Sequence, residues 1–261
     1  MTICIAAIVS NNKIIAITDK MITIGAPVAT RYEISEANKA IKLTNKSIAL
    51  FAGNVLYANE ILALAKTKIS ASTTRIVDIA NIMKNAYFEY WQQQLSNQLF
   101  NRYGLTLSTF MQSQKSLNDD LVKKINDILA NANLGVDILV AGIDTNPHLF
   151  YIGNPGTINC IDGIGYALIG SGAQHAQLSL IESEYHSGIS AQNGLYALLE
   201  AKKRAEYDPG VGQLCDIVII DSNFTKLLPE KIDKIKKEYN NLNKSLRKTK
   251  EKNAKKIYGL I

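Results

Sequence analysis

Two apolar, β-branched runs near the start of the chain limit its fold more than any other feature. Thr2-Ile3-Cys4-Ile5-Ala6-Ala7-Ile8-Val9 and Lys13-Ile14-Ile15-Ala16-Ile17-Thr18-Asp19 flank a polar break at Asn11-Asn12. Short β-branched runs on either side of a tight polar turn predict a hairpin. Because both runs are apolar almost throughout, the hairpin is expected to be buried.

The rest of the chain supplies elements to bury it. Lys20-Met21-Ile22-Thr23-Ile24-Gly25 follows the hairpin, then a looser extended stretch to Ile34, and residues 38–43 and 47–53 predict a second hairpin turning at Thr44-Asn45-Lys46. Asn54 is a good N-cap for a helix carrying Leu56, Ile61, Leu62 and Ala65. A long amphipathic segment then places Ile76, Ile79, Met83, Ala86, Tyr87, Tyr90 and Trp91 at helical spacing. Residues 95–118 are polar and mixed, expected as part helix and part exposed excursion, before a helix at 121–132. Strands are predicted at 136–142, 147–152, 156–161 and 166–169, helices at 173–184 and 190–206, and strands at 214–220 and 224–228. Hairpin-sized connections make the sheets largely antiparallel. The predicted class is α+β, with two sheets stacked face to face and a helix pair outside each.

At 261 residues and 47% hydrophobic content, one domain plus an appendage is expected: a domain at 1–228 and a Lys-rich tail at 229–261. The tail holds eleven Lys/Arg against four Asp/Glu, so the net charge of +6 belongs to it and says little about the domain. Ile232, Ile235, Tyr239, Leu242 and Leu246 keep the spacing of an amphipathic helix, read as packing on its own domain or a neighbouring subunit. A nucleic-acid contact would rest on this tail alone. Past Leu246 the stripe fades, and the last dozen residues are expected to be disordered. No apolar run approaches the roughly 18–20 residues of a membrane span. The first run lacks a basic flank, so it reads as a strand and not a signal peptide. Cys4, Cys160 and Cys215 are widely spaced and read as thiols of a reducing cytoplasm. There is no CxxC, HExxH or His/Cys cluster, so no metal site is expected.

Only Met1 precedes Thr2. An initiator Met is normally trimmed before a residue as small as Thr, and trimming leaves a hydroxyl nucleophile and an α-amine base on one residue. That pair is one of the few ways to activate a hydroxyl without a histidine.

The order of elements and several motifs together resemble the proteasome β-subunit family of N-terminal-nucleophile (Ntn) hydrolases, which includes the bacterial protease HslV. The likeness covers roughly residues 2–222. It is carried by Thr2-Ile3-Cys4-Ile5, Ile15-Ala16-Ile17-Thr18-Asp19, Lys39-Ala40-Ile41, Phe51-Ala52-Gly53, Val140-Ala141-Gly142-Ile143-Asp144 and Ile169-Gly170-Ser171-Gly172, with Asp208 before a final strand. No one of these is specific; their order and spacing are. The resemblance implies a four-layer αββα sandwich, here with a C-terminal basic helical extension. It implies Thr2 as nucleophile, its α-amine (ordinarily near pKa ~8) as base, Lys39 as the adjacent cation and Asp19 as its partner. Gly53 N–H would serve the oxyanion, and Ser171 and Asp208 would hold the amine. Lys42 competes with Lys39 for the cation's role, with Lys39 favoured by spacing and strand parity. Phe51 falls where family members line a specificity pocket, which implies a small or shallow one.

Three features depart from the family pattern: Val211 stands where a Ser is frequent, the helical region at 70–118 is long, and the basic helix is an addition. The expected activity is cleavage of peptide amide bonds through an acyl-ester on Thr2. The same acyl-enzyme would support transpeptidation, and a non-catalytic assembly or scaffold protein on the same fold is the rival of another class. The resemblance further implies a peptide or protein substrate and a homo-oligomer, and no cofactor, since the chemistry needs only Thr2, its amine and Lys39. A partner ATPase is not readable from sequence.

Overall fold

The computed structural model describes residues 2–10, 12–24 and 30–258. Met1, Asn11 of the predicted turn, the part of the extended stretch at 25–29, and 259–261 lie outside the described residues. In chain order the strands begin with β1 (Cys4–Val9), β2 (Lys13–Asp19), β3 (Met21–Ile24), β4 (Thr30–Glu33), β5 (Ala40–Thr44) and β6 (Ser47–Gly53). Helices α1 (Val55–Lys68), α2 (Ile76–Gln98), α3 (Leu107–Ser113) and α4 (Asp119–Asn131) follow. Then come β7 (Val136–Ile143), β8 (Pro147–Gly153), β9 (Thr157–Cys160) and β10 (Tyr166–Ile169), with α5 (Ala173–Glu182) and α6 (Ala191–Ala205) after them. The chain closes with β11 (Cys215–Ile220), β12 (Phe224–Lys226) and α7 (Pro229–Tyr258).

This is a mixed α+β architecture with antiparallel sheets. One five-stranded sheet has the order β10-β1-β2-β11-β12, the other β5-β6-β7-β8-β9, and β3 and β4 form a separate pair. The predicted first hairpin pairs Cys4 with Thr18 through to Val9 with Lys13. Alternation along β1 explains why both faces are apolar. Cys4, Ala6 and Ile8 meet Leu50, Ala52, Leu139 and Ala141 of the other sheet in one cluster. Ile3, Ile5, Ala7 and Val9 instead pack under Ala176 and Leu180 of α5 and Leu198 and Ala201 of α6. A third cluster joins Ala49, Phe51, Ile138 and Val140 to Ile61 of α1 and Ile79 and Met83 of α2.

Local chemistry sets the helix ends. The Asn54 side chain accepts from Leu56 N and Tyr57 N, which caps α1 as its sequence predicts. The first N–H of α2, Ile76, is capped from another element, by Asp144 Oδ2 at 2.9 Å. Residues 99–131 carry α3, two 3₁₀ turns and α4, gathered on a small core of Leu95, Leu99, Phe100, Phe110 and Ile125.

Two expectations need correction. The stretch after Lys20 folds back: β3 pairs with β4 from Met21↔Glu33 to Ile24↔Thr30. Thr30-Arg31-Tyr32-Glu33 is largely exposed and shows no apolar alternation, which hid it as a strand. The tail does not lose order after Leu246. Its helix continues to Tyr258, because Lys, Arg, Glu, Ala and Leu are strong helix formers and nothing in it breaks a helix. Its first turns belong to the body: Ile232 and Tyr239 are buried with the α6 residues, and Tyr196 Oη donates to Asn243 at 2.7 Å.

Candidate active site

The site forms where three strand ends meet. Thr2 lies just before β1, Asp19 ends β2, and Lys39 immediately precedes β5 of the other sheet. Ladder bonds fix each backbone: Asp19 N donates to Ile3 O at 3.1 Å, and Phe51 N to Lys39 O at 3.3 Å. The turn after β10 closes on the nucleophile's backbone, with Gly172 N donating to Thr2 O at 3.2 Å.

These placements bring the three side chains into mutual contact. Lys39 Nζ donates to Thr2 Oγ1, and Thr2 Oγ1 donates to Asp19 Oδ1. Lys39 Nζ also reaches Asp19 Oδ1 at 2.6 Å. All three are buried, with Thr2 2%, Asp19 0% and Lys39 5% exposed. A carboxylate so far from water needs its lone pairs filled. Ile3 N supplies Oδ1 at 3.0 Å, and Met21 N and Gly212 N supply Oδ2 at 3.1 Å each. Lys42, the competing cation, is exposed and sits over the Phe224 ring.

Among the described residues, the other predicted residues stand outside this side-chain trio. Gly53 is exposed at the β6–α1 corner with φ +99°, and a Cβ there would lie 1.9 Å from Gly135 O. Only glycine fits a positive φ against a neighbouring carbonyl. Ser171 is exposed in the turn after β10, and among the described residues its side chain makes no hydrogen bond. Its flanking glycines touch Thr2 instead: a Cβ on Gly170 would stand 2.3 Å from Thr2 O. The Asp208 carboxylate turns back on its own loop and accepts from Gly210 N at 2.6 Å. That loop contributes through Gly212 N–H, and Val211 is buried against Gly172. Phe51 is 3% exposed and packs beneath α1 and α2, so its ring presents no open surface to a substrate.

Sequence reasoning passed over two groups here. Cys4 Sγ donates to Phe51 O at 3.3 Å and adjoins the Thr2 side chain. Complete burial pushes this thiol far above its usual range, outweighing the pull of Lys39, so it stays protonated and unreactive. Asp216, 4% exposed, lies between Lys20 at 3.0 Å and Lys226 at 2.8 Å, a second buried acid within a few residues of Asp19 in the sheet.

A cleft of about 1460 Å³ lies elsewhere; Lys42, Arg75, Asp144, His148, Cys160 and Asp162 line it, and none of the three site residues does. No helix among the described residues is long and apolar enough to cross a membrane. No protein-family model matches the chain, and no curated protein matches it. The functional reading therefore rests on the geometry of the site.

Proposed function

We propose that this chain is an N-terminal-threonine amidohydrolase of the proteasome β-like type, acting on peptide amide bonds. The observation that carries the reading is the buried contact of Thr2 Oγ1 with both Lys39 Nζ and the Asp19 carboxylate. A hydroxyl, a lysine and an acid drawn from three strand ends make a poor core-packing solution, since apolar residues of similar volume would serve stability as well. They suit a nucleophile whose oxygen must lose a proton. The three side-chain clusters support a four-layer αββα sandwich, with the site at one end of the inner interface.

In this reading, removal of Met1 frees the Thr2 α-amine. The amine takes the hydroxyl proton, and Oγ1 attacks the substrate carbonyl carbon. Lys39 stabilises the alkoxide by direct charge, and Asp19 holds Lys39 on it. The carbonyl oxygen becomes an oxyanion facing Gly53 N–H. Collapse breaks the C–N bond, the leaving amine departs with the proton, and an ester on Thr2 remains for water to cleave. A homo-oligomer in the cytoplasm and a peptide or protein substrate belong to the same proposal.

The near-complete burial of Thr2 favours, as second reading, a non-catalytic assembly protein that keeps the trio as a relict ion pair. Intact mass before and after a threonine-directed epoxyketone or β-lactone separates the two. The hydrolase reading expects a mass lacking Met1 that gains one inhibitor equivalent, and no gain in Thr2→Ala. A retained Met1 with no mass gain would reject it in favour of the assembly protein.

A further inference from the structure

We propose that Glu33 is a positioning residue for this site, holding the segment from Gly212 to Leu214 so that Gly212 N–H meets Asp19. The inference rests on the reading above for its catalytic consequence, but not for its geometry.

Asp19 Oδ2 has two donors, Met21 N and Gly212 N, both at 3.1 Å. They come from different parts of the chain, and Glu33 touches both. In the β3–β4 pair Glu33 stands directly opposite Met21. Its carboxylate then reaches across to the other segment, where Oε1 accepts from Leu214 N at 2.7 Å. An ionised acceptor on a backbone N–H makes a strong, directional bond. Lys20 N donates to Leu214 O at 3.2 Å, so the segment is held from both sides of one residue.

Gly212 shows the closeness of the fit. A Cβ built on it would lie 2.0 Å from Glu33 Oε1, 2.8 Å from Cδ and 3.0 Å from Cγ. Its φ is outside the left-handed range, so backbone conformation does not demand glycine. The Glu33 carboxylate does. Glycine here lets the acid lie flat against the segment that serves Asp19, and Asp19 in turn orients Lys39 and Thr2. A misplacement of about 1 Å in such an arrangement costs on the order of a hundredfold in rate.

The test is a mutant cycle on the full chain, read by amide hydrogen exchange and by the rate of β-lactone acylation. Glu33→Ala is expected to speed exchange at Gly212 and Leu214 at least about tenfold while Ile5 and Ile17 stay protected, and to slow acylation roughly ten- to a hundredfold. Glu33→Gln keeps an acceptor for Leu214 N and should recover most of both effects. Gly212→Ala should mimic Glu33→Ala, yet add little in the Glu33→Ala background, where its methyl has room. Unchanged exchange at Gly212 in Glu33→Ala, or additive effects in the double variant, would overturn the clamp. If wild type is not acylated while exchange behaves as expected, the hydrolase reading fails and the clamp stands.

Discussion

Replacing Asp19 by Asn tests the core of the site without assuming any activity. The carboxylate is 0% exposed and receives the Thr2 hydroxyl, Ile3 N and Lys39 Nζ on Oδ1, and Met21 N and Gly212 N on Oδ2. An Asn amide has one oxygen to offer. With that oxygen on the Oδ1 side, its NH₂ group faces the N–H groups of Met21 and Gly212; reversed, it faces Ile3 N–H and the Lys39 cation. Each stranded buried donor costs about 1–3 kcal/mol. Breaking a buried ion pair from one side costs about 3–5 kcal/mol, because the other charge stays behind. The two costs overlap, so a loss of about 3–5 kcal/mol is expected in urea unfolding, with an unchanged m-value. Lys39→Met should cost less. Asp19 then keeps three backbone donors and the Thr2 hydroxyl, whereas Lys39 without Asp19 keeps, among the described residues, Thr2 alone. The double variant Asp19→Asn/Lys39→Met should be more stable than the sum of the single losses, since no lone charge remains. A loss below about 1 kcal/mol for Asp19→Asn, or strict additivity with Lys39→Met, would refute the argument.

Two further outcomes are expected. Gly170→Ala puts a methyl 2.3 Å from Thr2 O at φ +101°, so Thr2 must retreat by about 1 Å; acylation should slow roughly a hundredfold, while Gly104→Ala, at φ +64° with open space around it, should leave the rate unchanged. At Asp144, partial burial raises the carboxyl's pKa, but bonds from Ile76, Thr145 and Asn146 N–H and the nearby His148 outweigh it and hold the acid below its ordinary value. A depressed acid stabilises the fold above its unfolded value, about 3.9, and that stability is lost as pH falls through the lower folded value. Asp144→Asn should therefore flatten the acid side of the stability–pH profile below about pH 4, checked by thermal unfolding across pH; an unaltered profile would count against the capping role.

The parts of this structure that were readable in the sequence are those written in side-chain periodicity. The buried β1–β2 hairpin, the Asn54 cap and the helices of the outer clusters follow from apolar spacing and a single capping residue. Phe51 was not readable, because β6 is apolar at both parities and its sequence does not say which face meets the other sheet. In the structure Leu50 and Ala52 belong to the cluster shared by the sheets, so the residue between them must point to α1 and α2 and away from any pocket opening between the strands. The β3–β4 pair was not readable, because an exposed two-stranded ribbon needs no apolar alternation.

The site divides along the same line. Thr2 was found through its place after Met1, and Asp19 and Lys39 through the resemblance to the proteasome β-subunit family; the structure brings the three side chains together. The parts that fix their geometry are backbone N–H groups at Ile3, Met21 and Gly212, which every non-proline residue carries and no motif marks. Ser171 and Asp208 were chosen for their side chains, yet the Asp208 carboxylate bonds Gly210 N, and the backbone groups that reach the trio come from Gly172, beside Ser171, and Gly212, in the loop after Asp208. A buried acid with one cation and several backbone donors is readable in sequence only as the acid and the cation. What surrounds them appears indirectly, as glycines with little reason to be glycine until a neighbour such as Glu33 is seen against them.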